Sequence, residues 1–145
     1  MDIKERDLGW REIQRRIDKA TSKEVAVGII GGGEELEKAV ANEFGTDKIP
    51  ERPFMRQTFD RFFKEIQELK AEGMNRIVYD GTKPSVELNR IGDFYRNKVR
   101  SEISSKSGGF EANAEVTVKR KGSETPLLDT GKMIQSIKVE VRNAK

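Results

Sequence analysis

The stretch Glu24-Val25-Ala26-Val27-Gly28-Ile29-Ile30 decides the fold class. Val25, Val27 and Ile29 recur at every second position, and β-branched residues dominate. A period of two with that composition reads as a strand with one apolar face. The flanks carry a different period. Upstream, in Asp7 to Ala20, the residues Trp10, Ile13, Ile17 and Ala20 fall on one face of a 3.6-residue repeat, which predicts an amphipathic helix that Thr21-Ser22 breaks. Downstream, Gly31-Gly32-Gly33 ends the strand. Glu34 to Phe44 then reads as a helix through Leu36, Val40 and Phe44, with Gly45 as its stop.

Further along, Thr46-Asp47-Lys48-Ile49-Pro50-Glu51-Arg52-Pro53 is irregular, because two prolines fix φ and push Ile49 and Arg52 towards extended backbone. Pro53 suits the first position of the next helix. That helix, predicted from about Pro53 to Gly73, carries an apolar stripe of Met55, Phe59, Phe62, Phe63, Ile66 and Leu69. Phe54 lies off the stripe, roughly 140° from Phe59 at ~100° per residue. Met74 to Lys83 fits either helix or a short strand, with Asp80-Gly81-Thr82-Lys83-Pro84 as a turn. Ser85 to Ser105 predicts a second long helix with Leu88, Ile91, Tyr95, Val99 and Ile103 on one face. Gly92 inside it costs about 1 kcal/mol relative to Ala, which points to a close contact with another helix.

After a Ser/Gly-rich loop at 105–109, Ala114 to Lys119 alternates as a strand, and Arg120 to Leu128 is a polar loop. Asp129 is a suitable N-cap for a short helix. Ile137-Lys138-Val139-Glu140-Val141 is a closing strand, expected to lie antiparallel beside 114–119. The fold class is therefore α+β: one domain over residues 1–145, with a small, mostly antiparallel sheet of three or four strands, two long helices and two short ones. The length, 145 residues and 16.5 kDa, fits one domain.

Composition narrows the chemistry. There is no cysteine and no histidine. That removes disulfides, thiolate metal sites, a cysteine nucleophile and the commonest general base at neutral pH. No apolar run approaches the ~18–20 residues of a membrane span. The charged N-terminus Met1-Asp2-Ile3-Lys4-Glu5-Arg6 has no signal-peptide core, so the expectation is a soluble chain used or assembled in cytoplasm, with no membrane partner. Net charge is +3, from 28 basic and 25 acidic residues, with both signs interspersed. A dedicated nucleic-acid binder concentrates basic charge further than this. The triple glycine precedes a helix, as a phosphate loop would, but Glu34-Glu35 follows where a lysine and a hydroxyl are needed. No acidic set has the spacing of a calcium loop, which leaves only a carboxylate magnesium site assembled by the fold. No serine or threonine has a visible activating base. The expectation is a protein that is not an enzyme and needs no cofactor or metal.

Two other surfaces draw attention. Arg90, Arg96 and Arg100 on the second long helix, with the tip Lys119-Arg120-Lys121, could face phosphates. Without interleaved aromatics for base stacking, a solvated helix face is the simpler account. The second is a pair of loops. Asn42-Glu43-Phe44-Gly45-Thr46…Ile49-Pro50-Glu51-Arg52-Pro53-Phe54 is stiffened by proline and expected to present Ile49 and Phe54 outside helical burial. Pro126-Leu127-Leu128-Asp129-Thr130-Gly131-Lys132-Met133-Ile134-Gln135-Ser136-Ile137 carries adjacent leucines into a capped turn. Apolar groups on stiff loops suit contact with another surface.

These two segments resemble the signatures of the neck and tail-component family of tailed bacteriophages. The first matches through Glu43-Phe44-Gly45-Thr46 and Ile49-Pro50-Glu51-Arg52-Pro53-Phe54, the second through Leu128-Asp129-Thr130-Gly131-Lys132-Met133 and Ser136-Ile137. Asp7-Leu8-Gly9-Trp10 and Val25-Ala26-Val27-Gly28-Ile29 fit the family's opening, so the resemblance spans about residues 7–142. Met74 to Lys83 does not match. The resemblance implies a structural virion protein at the head–tail junction, a connector, neck or tail-completion component, assembled in the bacterial cytoplasm. Its partners would be copies of itself in a ring and neighbouring head-completion or tail proteins, with DNA contact incidental. Ile49, Arg52, Pro53, Phe54, Leu127 and Leu128 are the expected contact residues, with Asp129, Thr130 and Gly131 shaping the turn. A nucleic-acid-binding module using Arg90, Arg96, Arg100 and the basic tip is the alternative.

Overall fold

The computed structural model of the chain describes residues 8–104 and 131–145. Within them the order is α1 (Trp10–Thr21), β1 (Lys23–Ile29), α2 (Glu34–Phe44), α3 (Phe54–Arg61), α4 (Phe63–Asn75), a π-helical turn (Arg76–Asp80), α5 (Pro84–Ser104), α6 (Lys132–Ser136) and β2 (Ile137–Asn143). The class is α+β. The expected strand 114–119, the loop 120–128 with Leu127 and Leu128, and Asp129 and Thr130 lie outside the described residues.

β1 and β2 pair antiparallel, with Val25 opposite Val141, Val27 opposite Val139 and Ile29 opposite Ile137. The apolar residues of both strands therefore share one face, and Glu24, Lys138, Glu140 and Arg142 share the other. Among the described residues the sheet has two strands, and the N-terminal strand is a partner of 137–141 that the sequence reading did not name; the expected strand at 114–119 and its pairing lie outside the described residues. All the helices from α2 to α6 separate β1 from β2 in sequence, so local order could not reveal the pair.

The apolar sheet face rests on α5. Gly92 makes this possible: a Cβ there would stand 2.4 Å from Val139 Cγ1 and 2.8 Å from Val25 Cγ2. The close approach expected at Gly92 is thus to the sheet rather than to a helix. Beyond it, Val99 and Ile103 continue into a cluster with Ala39, Phe54, Met133 and Ile137.

The long helix predicted from Pro53 to Gly73 is two helices that meet at Phe62, whose φ of −104° and ψ of 17° leave the helical region. A cause is visible one turn earlier. The buried Thr58 hydroxyl donates back to Phe54 O at 2.6 Å, an arrangement that bends helices. The apolar stripe is divided in consequence: Ile66 is buried, while Phe59 and Phe63 stay exposed and meet edge to face. The unmatched segment Met74 to Lys83 is helical as far as Asp80. It continues α4 to Asn75 and then widens into the π-helical turn, which Gly81 closes at φ 72°. In α1 the predicted stripe is half-buried at Ile13, Ile17 and Ala20, but Trp10 is exposed.

Candidate interface site

The first signature segment folds into a clamp between α2 and α3. Gly45 ends α2 at φ 72°, in the left-handed region that glycine tolerates, and a Cβ there would lie 3.1 Å from Glu51 N. Thr46 then closes a small turn with Ile49: Thr46 N donates to Ile49 O at 2.8 Å, and Ile49 N donates to Thr46 Oγ1 at 3.0 Å. Arg52 returns to α2, its N–H donating to Asn42 O at 2.6 Å and its Nη1 to Asn42 Oδ1 at 3.0 Å.

Glu43 holds the other side. Pro53 precedes α3 and offers no capping side chain. The buried Glu43 carboxylate takes that role from across the clamp, accepting Met55 N at 2.9 Å and Arg56 N at 3.1 Å. A carboxylate suits the positive end of a helix. Arg56 balances it: Nε donates to Glu43 Oε1 at 3.0 Å, while Nη2 donates to Glu43 O and to Glu51 Oε1, each at 2.6 Å. Hydrogen bonding to Glu43, and then to Glu51, holds the Arg56 guanidinium even further above its ordinary pKa. The same guanidinium lies over the Phe44 ring, 4.9 Å from its centroid.

This geometry corrects the expected contact residues. Phe54 is 2 % exposed and Arg52 6 %, so neither is presented at the surface of the folded chain. The reason is the clamp, which pulls the start of α3 inward until Phe54 joins Ala39 and Val99 in the core. Ile49 and Pro53 are half-buried. What the segment does present is Phe44, 63 % exposed, with Val40 one turn earlier at 48 %. Sequence reasoning placed both on one helical stripe and did not single them out as contact residues. The available signal was the Phe44-Gly45 boundary, since a side chain at the end of a helix has no following turn to cover it. In the second signature segment, Gly131 adopts φ 74° immediately before α6; Leu127, Leu128, Asp129 and Thr130 lie outside the described residues.

The three arginines of the alternative reading have internal partners. Arg90 pairs with Glu72 at 3.0 Å, and Arg96 with Asp93 at 3.0 Å. Arg100 donates to Ile134 O at 3.2 Å, Gln135 O at 3.4 Å and Ile137 O at 2.8 Å, so it satisfies carbonyls where α6 ends. The tip 119–121 lies outside the described residues. Glu34 at the glycine-run end of α2 is engaged by Lys38 at 2.7 Å, and that hydrogen bond lowers its pKa.

Among the described residues no group of three or more acidic side chains could hold a metal ion, and no helix is long and apolar enough to cross a membrane. Comparison of the chain with protein-family models, curated proteins and solved structures gave no match.

Proposed function

We propose that this chain is a structural protein of the tailed-bacteriophage virion, working at the head–tail junction as a connector, neck or tail-completion component. Copies pack side by side in a ring, through contacts that must close. The clamp between α2 and α3 carries the reading. The segment that resembles the phage signature is bound end to end by internal hydrogen bonds and leaves Phe44 and Val40 facing outward. A surface fixed before contact loses little entropy on docking. Phe44 and Val40 replace Arg52 and Phe54 as the contact residues of this segment, and Leu127-Leu128 remains the proposed contact of the second.

The test is electron microscopy of lysates from a phage or prophage with this gene disrupted. Filled heads accumulating apart from finished tails support a joining role. Heads without tails move the protein into tail assembly. Intact infectious particles remove the reading.

A further inference from the structure

The first helix is attached differently from the rest. Among the described residues every other helix buries at least one side chain, and α1 buries none. It packs mainly on the π-helical turn, with a lighter contact to β1. A short helix with little buried apolar area is the kind of element that opens by itself, ahead of the core. Its start carries no side-chain cap, and Leu8 and Trp10 there are exposed. At its end, Ser22 alone joins α1 to β1. Ser22 Oγ donates back to Lys19 O at 2.9 Å, and Ser22 O accepts Ala144 N at 2.9 Å. The chain is thus tied to the residue just beyond β2 at the point where helix becomes strand.

Arg16 bridges α1 and the turn. Its Nη1 donates to Val78 O at 2.7 Å and to Tyr79 O at 3.4 Å. Both carbonyls lie in the last turn of their helical segment, where carbonyls have no partner further along the helix. A cation there also meets the negative end of the helix. Glu12 Oε1 accepts Arg16 Nε at 3.0 Å and aims the guanidinium. Gly81 leaves room for it, since a Cβ at Gly81 would stand 3.2 Å from Arg16 Nη2. Arg16 therefore caps, from α1, a turn 62 residues away in sequence. We propose that α1 and the π-helical turn form a latch, with Ser22 as hinge and Arg16 as catch, that opens while the sheet and α5 stay folded. In the open form α1 leaves the turn, and Val78 O and Tyr79 O return to solvent. The 12 residues of α1 are short for a helix that is stable alone in water, so α1 loosens as it leaves. Opening is thus one step for both elements. A binding partner that prefers either form shifts the balance by that preference alone. The inference does not rest on the proposed function and would survive its failure.

Residue-resolved hydrogen exchange of the full chain, corrected for intrinsic rates, reads both halves of the latch. The amides of Ile17 to Thr21 report α1. Those of Gly81 and Thr82 both donate to Arg76 O and report the turn. In the parent the two sets should exchange together, at least about a hundredfold faster than the buried Val99 and Ile103 of α5. Arg16→Met keeps an aliphatic stem and loses the donors; it should speed both sets by about tenfold and leave α5 unchanged. Arg16→Lys should fall between, since an ammonium lacks the planar fork that spans two carbonyls. Glu12→Gln keeps the carbonyl bonds and should change either set by less than about threefold. Acceleration of α1 without Gly81 and Thr82 would overturn the latch in favour of simple fraying. Equal acceleration in α5, or parent α1 amides as slow as those of α5, would overturn it in favour of one global unit. A Glu12→Gln effect as large as that of Arg16→Met would overturn it in favour of helix stability within α1. No change in Arg16→Met would overturn it outright.

Discussion

Replacing Gly92 by alanine should destabilise this protein, although alanine is the better helix former. An added Cβ would sit 2.4 Å from Val139 Cγ1 and 2.8 Å from Val25 Cγ2. Carbon atoms in contact prefer ~3.5–4.0 Å, so the shortfall is about 1 Å on two sides at once. Neither valine can turn away cheaply, because β-branched side chains hold few rotamers and the two strands are paired to each other. Either the sheet lifts from α5 or both valines strain, at a cost of about 1–3 kcal/mol. The helix gains about 1 kcal/mol from losing a glycine. The expected net loss is up to about 2 kcal/mol, or up to roughly 8 °C in Tm for a domain of this size. Urea unfolding followed by far-UV circular dichroism reads it directly. A Val139→Ala change on the Gly92→Ala background should cost less than it does alone, with a coupling of about 0.5 kcal/mol or more. A Gly92→Ala protein more stable than the parent by about 1 kcal/mol would refute the reasoning, since propensity alone would then govern the site.

Other outcomes follow from the clamp and its neighbours. Glu43→Gln weakens the cap on α3 and leaves Arg56 without its charge partner, and should cost about 1–3 kcal/mol in chemical denaturation. Phe54→Ala should cost about 3–5 kcal/mol, as for a core phenylalanine; a loss below about 1 kcal/mol would return Phe54 to the surface. Phe44→Ser should change stability by no more than about 0.5 kcal/mol yet reduce head–tail joining in a complementation assay. Burial, then repulsion from Glu43 and Asp60, raises the Tyr95 pKa above its ordinary value while its hydroxyl donates to Met55 O at 2.7 Å. A raised folded pKa means stability that is present below the unfolded value near ~10 and lost as pH rises towards the folded one. Tyr95→Phe should therefore be the less stable protein at neutral pH, and the gap should narrow above about pH 10.

The elements with one dominant signal were legible. Alternation at Val25, Val27 and Ile29 and at Val139 and Val141 marked both strands, and the two-proline segment marked the connection before α3. What escaped was what two distant segments do to one another. Phe54 looked exposed because it lies off the stripe of its own helix. It is buried because Glu43, eleven positions earlier, caps that helix and turns it inward. The kink at Phe62 was hidden for a related reason: a single threonine hydroxyl competes with the backbone inside a pattern that hydrophobic period alone reads as continuous. Arg90, Arg96 and Arg100 formed a basic face on a helical wheel. The wheel could not show that Glu72 comes from another helix, or that three carbonyls at the end of α6 wait for Arg100.

The placement of charge bears on how such a chain would meet a partner. Its buried acids are matched from within: Glu87 by Arg76 at 2.9 Å, Glu102 by Arg61, and Glu43 by Arg56. Each pair joins two different elements, so these charges tie the helices together. At the clamp this leaves the outward surface to an aromatic ring and a branched aliphatic side chain, Phe44 and Val40, with Arg56 stacked on the ring. Docking by such a surface is driven by apolar burial, which salt screens little. Binding through a basic face would instead fall steeply as salt rises. Association of this chain with its neighbours should therefore persist between 50 and 500 mM salt, about a threefold change in screening length. Loss of association over that range would move the contact away from Phe44 and onto charged residues.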